Sequence, residues 1–293
     1  MLDLFCHIMN LRTQVLSRFT KIFKNFILGM IVGFTDLFPA ISGSSVLMIF
    51  RKYYDLFNSL NNLISSIISF KKIDIKKLNI EFMAPLFVGI IFSVFIFSRL
   101  AEYLFDNQRA PTIIFITTIL IFLVTRNVYK IDKPKKYILF FFSGIFLGLS
   151  IFFIPENLFN DQNNIIIFIS GLVALSFMII PGVSGSLMLI ALGTYESLIN
   201  AISNFEISYL IIFIAGGLLG IFISIKLISK ILNYFKNNLT IFFYGLILGT
   251  IPKFFNQISL DNYFSMTTYL SSIFAIIISI IILIILKKYE KNL

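Results

Sequence analysis

Twice the chain interrupts an apolar run with nearly the same short sequence. "PAISGSS" occupies 39–45 and "PGVSGSL" occupies 181–187, 142 residues apart, each flanked by leucine, isoleucine, phenylalanine and methionine. Proline removes a backbone donor, while serine and glycine favour turns and caps over helix. After the first break the chain advances only eight residues, from Gly43 to Arg51, about 12 Å of helix. Crossing a ~30 Å hydrocarbon core takes about 20 helical residues. With Arg51 and Lys52 at a headgroup layer, the break therefore falls near mid-bilayer. The spacing predicts that residues 22–60 enter, turn inside and leave on the same side as a re-entrant helical hairpin, and that 164–200 do the same.

Hydrophobic residues make up 58% of the 293, and charged residues 13%, against about 25% charged in soluble domains. An all-α integral membrane protein is the expectation. Further apolar runs at roughly 83–105, 112–129, 137–154, 208–232, 239–255 and 268–286 supply the crossings. Residues 1–21 place apolar side chains three and four apart with Arg12, Arg18 and Lys21 between them, the pattern of an interfacial amphipathic helix. A single cysteine, Cys6, excludes an internal disulfide, and with one histidine, His7, a Cys/His metal site is excluded too. The net charge of +10 needs no nucleic-acid partner, because the positive-inside rule accounts for it.

Those basic residues set the expected sidedness. With the N-terminus cytoplasmic, the first hairpin returns to "KKIDIKK" at 71–77. Helix 83–105 leads out, 112–129 leads back to the basic stretch 126–136, and 137–154 leads out to an acidic, lysine-free loop. The second hairpin returns outside at 203–208, and 208–232, 239–255 and 268–286 bring the C-terminus to the cytoplasm. No lysine or arginine occurs between 137 and 225, and only Arg109 and Lys253 fall outside. Each half is one hairpin plus three transmembrane helices, and an odd number of crossings inverts the second half. The expected fold is an inverted-topology repeat within one polytopic domain, 1–293, with 22–154 as repeat one and 164–286 as repeat two. Such folds build substrate sites near the midplane from broken helices. Pro39/Pro181, Ser42/Ser184, Gly43/Gly185, Ser44/Ser186, Tyr53/Tyr195 and Gly29/Gly171 match at offset 142; Gly89/Gly216 and Arg99/Lys226 match at offset 127.

In this arrangement Pro39, Pro181 and Gly182 make the hairpin turns, and the arm after each turn begins with its N-terminus inside the membrane. A helix N-terminus offers unpaired N–H groups and partial positive charge. Ser42, Gly43, Ser44, Ser45, Ser184, Gly185 and Ser186 are the candidate substrate-binding residues, for an anion and above all a phosphate. Small residues also serve plain helix packing, but duplication at inverted positions favours the ligand reading. Arg99 and Lys226 are candidates for drawing anionic headgroups in at opposite mouths, with interfacial snorkelling as the plainer account. Asp36 lies at membrane depth, where a carboxylate reads as functional, and Glu196 follows Tyr195 in the second hairpin.

These residues resemble the PopT-type polyprenyl-phosphate transporters, a bacterial family. Their pattern is Gly-x-x-Asp-x-x-Pro-Gly-Val-Ser-Gly-Gly-Thr, then Gly-x-Tyr-Glu, with Pro-Gly-x-Ser-Gly-Ser in the second half. "PGVSGS" at 181–186 and "GTYES" at 193–197 match the second copy, and Gly33, Asp36, Pro39, Ser42 and Gly43 match the first. Ala40, Ser44, Ser45 and Arg51 depart from it, where the family tends to glycine, glycine, threonine and glycine. The resemblance spans about 22–286. It implies a transporter rather than an enzyme, without cofactor or metal, in the bacterial cytoplasmic membrane. Its partners would be the bilayer and a polyprenyl phosphate, with undecaprenyl phosphate, the cell-wall carrier lipid, returned from the outer to the cytoplasmic leaflet. Inward movement of an anion opposes an inside-negative potential by about 2.3 kcal/mol per charge per 100 mV. A proton or other cation co-substrate, with Asp36 or Glu196 as proton carrier, would offset that. The alternatives are an integral-membrane undecaprenyl-pyrophosphate phosphatase or a small-anion transporter. Gly43 and Gly185, standing where a phosphatase turn would carry a clamping arginine, weigh against the first.

Overall fold

The structure is a computed structural model that describes residues 2–38, 42–68, 78–131, 134–155, 158–159, 163–255 and 266–291; Pro39 and the basic loop 71–77 lie outside them. Every regular element among the described residues is helical. The first half runs α1 (Leu2–Asp36), α2 (Gly43–Ile49), α3 (Tyr53–Ile68), α4 (Ile80–Asn107), α5 (Arg109–Tyr129) and α6 (Ile138–Ser150). The second runs α7 (Asn164–Ile179), α8 (Gly185–Leu192), α9 (Tyr195–Ser203), α10 (Ile207–Phe255) and α11 (Met266–Lys291). Ile80–Ala101, Arg109–Tyr129 and Ile207–Lys253 are long and apolar enough to cross a membrane, and Ile138–Ser150, Asn164–Ile179 and Tyr269–Ile281 are shorter apolar helices. Phe95, Leu139, Phe146 and Phe153 are exposed on the outside of the bundle. A surface so apolar suits lipid rather than water.

Three elements differ in extent from the sequence reading. The interfacial stretch 1–21 and the first hairpin arm form one continuous helix, α1, because no glycine or proline occurs between Leu2 and Leu28. The runs 208–232 and 239–255 are likewise joined in α10, whose only non-helical residue is Phe235 (φ −133°, ψ 39°). That residue separates a first limb, 207–234, from a second, 236–255. The passage from α4 to α5 is also a single residue, Gln108 (φ −132°, ψ 38°), 127 positions before Phe235. Finally, the apolar run 183–200 is not one helix. It breaks at Gly193 and Thr194, and α8 meets α9 at a 109° bend.

Helix pairing follows the glycines. A β-carbon on Gly29 of α1 would collide with the Leu86 carbonyl of α4, and one on Gly89 with the Phe26 carbonyl. In the second half Gly171 of α7 faces the Phe213 carbonyl of α10, and Gly216 faces that of Phe168. Close backbone approach of this kind is how helices associate where no hydrophobic force drives them together. In addition, α6 packs on the second limb of α10, and α11 packs on α5. The main core draws on both halves, with Tyr53, Phe57, Phe82, Leu86, Val124, Ile225 and Ile247 buried within it.

Candidate functional site

The second turn is the more fully defined. Helix α7 stops at Ile179, and Val183 N–H donates to the Ile180 carbonyl (3.3 Å) across Pro181 and Gly182. With Gly182 at φ 93°, this is a type II turn, which places proline second and a positive-φ residue third. Extended Ser184 then caps α8 without a side-chain cap bond. Its hydroxyl is shared instead with Ser186 Oγ (2.7 Å). In the first half extended Ser42 likewise precedes α2, and Ser42 Oγ pairs with Ser44 Oγ (2.6 Å).

The two turns touch. Gly182 N–H donates to Ser45 Oγ (2.7 Å), and Ser42 Oγ donates to the Met178 carbonyl (3.3 Å). Ser42, Ser45, Ser184 and Gly185 are buried, whereas Ser44 and Ser186 are half-buried. The N-termini differ, however. Gly43 N–H donates to the Asp36 carboxylate, so a charge built into the protein already occupies the start of α2. Met178 stands at the equivalent place beside α8. The absent side chains of both turn glycines face the opposing arm, Gly43 toward Asp36 and Val32 and Gly185 toward the Ala174 carbonyl and Met178. Both glycines thus let the two arms of each turn close on one another.

Arg99 is exposed on α4 and Glu196 is exposed in the first turn of α9. Lys226, on the first limb of α10, donates to Asn61 Oδ1 (3.3 Å) and Ser65 Oγ (2.7 Å) of α3. No hydrogen bond joins these three to the turn serines among the described residues. A grouping that sequence reasoning did not assemble lies at the other end of α2. There a cavity of about 340 Å³ is lined by Arg51, Tyr54, Asn127, Lys130, Lys236 and Tyr244, among others. The available signal was Arg51 itself, a cation 142 positions before Gly193.

The fold and the paired turns define a multi-pass helical membrane protein that gathers turn backbone and serine hydroxyls inside an apolar body. Residues 32–269 match the model of the undecaprenyl phosphate translocase-like family, and the chain belongs to that family. It is similar to the polyprenyl-phosphate transporter of Vibrio cholerae serotype O1, at 26% identity over 236 residues, covering 78% of this chain and 76% of the relative. It is also similar to the polyprenyl-phosphate transporter of Staphylococcus aureus, at 26% identity over 246 residues, covering 78% of this chain and 82% of that one. These relatives are named as transporters, not enzymes. No solved structure matches the chain.

Proposed function

We propose that the protein returns polyprenyl phosphate from the outer to the cytoplasmic leaflet of the bacterial cell membrane, by alternating access between two inverted halves. The observation that carries this reading is the contact of the turns, with Ser45 of one bonded to Gly182 of the other and a serine pair beside each. Support for inverted halves comes from paired detail. Gly29 with Leu86 and Gly171 with Phe213 are the same contact shifted by the two sequence offsets, as are Gly89 with Phe26 and Gly216 with Phe168. Gln108 and Phe235 share their backbone angles. In this reading the end of α1 with α2, and α7 with α8, are the re-entrant hairpins.

The serine hydroxyls and turn amides receive the phosphate while the prenyl chain stays in lipid. Ser42, Gly43, Ser44, Ser45, Ser184, Gly185 and Ser186 form this meeting point, with the second turn held in shape by Pro181 and Gly182. Arg99 and Lys226 attract headgroups at the outer and inner mouths. Asp36 supplies a reason for proton coupling. A phosphate nearing α2 meets a like charge until that carboxylate takes up a proton, so headgroup and proton bind together. Glu196 is the alternative carrier. The names of the two relatives support the substrate.

Labelled undecaprenyl phosphate in proteoliposomes tests the reading. Its headgroup is expected to leave the outer-facing leaflet in a protein-dependent way, faster with a proton gradient directed inward. Equal headgroup accessibility with and without the protein would sink the proposal.

A further inference from the structure

The chain ends α2 in two ways at once. Lys52 N–H donates to the Leu47 carbonyl (2.8 Å) and Arg51 N–H to the Met48 carbonyl (3.1 Å), the paired bonds of a Schellman ending. The matching ending of α8 has Thr194 N–H on the Leu189 carbonyl (3.0 Å) and Gly193 N–H on the Ile190 carbonyl (3.0 Å). Both endings put their central residue in the left-handed region, Gly193 at φ 76° and Arg51 at φ 59°. Glycine takes that conformation freely and an L-residue is strained in it. The second half uses glycine here; the first half uses arginine. A strained residue held by its surroundings is a pointer to function.

The surroundings say which function. Arg51 Nε donates to Asn127 Oδ1 (3.3 Å), and buried Asn127 is itself anchored by Nδ2 on the Ile49 carbonyl (2.7 Å). That bond takes the inner nitrogen of the guanidinium and not its two terminal amino groups, the fork that suits phosphate. Lys236 Nζ sits 5.3 Å over the Tyr54 ring, and Tyr54 Oη is bonded to Thr240 Oγ1. Tyr244 Oη reaches the Met48 carbonyl (3.5 Å). Arg51, Lys130 and Lys236 thus share one cavity of about 340 Å³ with three tyrosines, Tyr53, Tyr54 and Tyr244, and no carboxylate lines it among the described residues. Asp55, the next acid in sequence, is paired with Lys52 (2.9 Å). Arg51 and Lys236, beside tyrosine hydroxyls and with no carboxylate among the described lining residues, make a site for a multiply charged oxyanion, with Lys130 also lining the cavity.

We propose that this cavity binds a phosphate monoester, with Arg51 as its fork. It is a second station, separated from the serine turns by the length of α2, about 10 Å for its seven residues. On the topology proposed above it lies at the cytoplasmic end, where an arriving headgroup would be released. That placement rests on the transport reading, but the binding does not.

Full-length protein in detergent is titrated with geranyl phosphate, inorganic phosphate and geraniol, and its thermal unfolding is followed. Arg51→Gly should weaken geranyl phosphate binding about tenfold or more, without lowering the unfolding temperature, because it relieves the left-handed strain. Lys236→Gln, remote from that turn, should weaken binding in the same sense, and geraniol should not compete. Geranyl phosphate binding far tighter than inorganic phosphate identifies a lipid headgroup; equal binding identifies a free phosphate; either supports the site. Undiminished binding by both variants overturns it. Liposome transport separates the two ideas. Arg51-dependent binding without transport keeps the cavity and removes the transport reading. Transport together with undiminished binding by both variants does the reverse.

Discussion

Removing the Ser45 hydroxyl should uncouple the two turns. Gly182 N–H has Ser45 Oγ as its acceptor at 2.7 Å, both residues are buried, and alanine leaves that amide without a partner. An orphaned buried donor costs about 1–3 kcal/mol. If the bond exists only when the turns are together, the whole cost falls on that state. Its population relative to the separated state drops roughly 5- to 150-fold. Ser45→Ala should therefore slow headgroup transfer in proteoliposomes by a factor in that range. It should also lower the unfolding temperature in detergent. Ser44→Ala is the matched comparison, since its half-buried hydroxyl pairs with Ser42 inside the same turn, and it should do much less. A Ser45→Ala protein that melts and transports like the parent would refute the coupling.

Four further outcomes are expected. Gly29→Leu and Gly171→Leu should each reduce the yield of folded protein to a similar degree, since each drives a side chain into a carbonyl of the facing helix; size-exclusion profiles at matched expression check this, and free tolerance of one would break the equivalence. Asp36→Asn keeps an acceptor for Gly43 N–H and removes the charge, so transport should persist but lose its dependence on the proton gradient; an unchanged dependence moves coupling elsewhere. Arg99→Gln should impair capture from the outer leaflet and Lys226→Gln handling on the inner side, with Arg99→Lys recovering only part of the loss; equal effects on both sides would leave these residues as interfacial anchors. Gly193→Ala should destabilise the protein by about 1–2 kcal/mol, because a β-carbon is strained at its φ of 76°, measured as a lower unfolding temperature with no change in headgroup affinity.

The parts of the fold that follow from local chemistry were legible. Proline, glycine and serine mark where α7 ends and where α2 and α8 begin, and the offsets found by matching Gly29 with Gly171 and Gly89 with Gly216 reappear as contacts between backbones. Continuity was harder to read. The polar stretch 233–238 looks like a loop, yet it contains no glycine or proline and stays helical apart from Phe235. The break in 183–200 was signalled by Gly193 and hidden by the apolar residues around it. The cavity at Arg51 joins residues 51, 127 and 236 from three separate elements, and only packing brings those together. Asp36 is expected at membrane depth from sequence, whereas its bond to Gly43 depends on how tightly the arms of the first turn close.

Symmetry bears on direction. Two identical inverted halves would give inward-open and outward-open states of equal energy and present the same site to each side, so the halves themselves would favour neither. In the transport reading, bias then has to come from places where the two halves differ. Two such places flank α2. Asp36 stands against its first amide where α8 has Met178, and Arg51 ends it where α8 has Gly193. One adds a negative charge at the meeting point of the turns, and the other adds a positive charge about 10 Å away, beyond the far end of the same short helix. A phosphate is repelled from the first position and attracted to the second. In the transport reading this gradient favours movement from the turns toward the cavity, and protonation of Asp36 admits the headgroup to the turns at the start. Exchanging the pair, with Asp36→Met and Arg51→Gly together, brings the first half closer to the second. Such a protein should still equilibrate lipid between leaflets, but with the inward preference reduced and its response to the proton gradient lost. Retention of a full inward preference by that variant would show that the direction is set elsewhere.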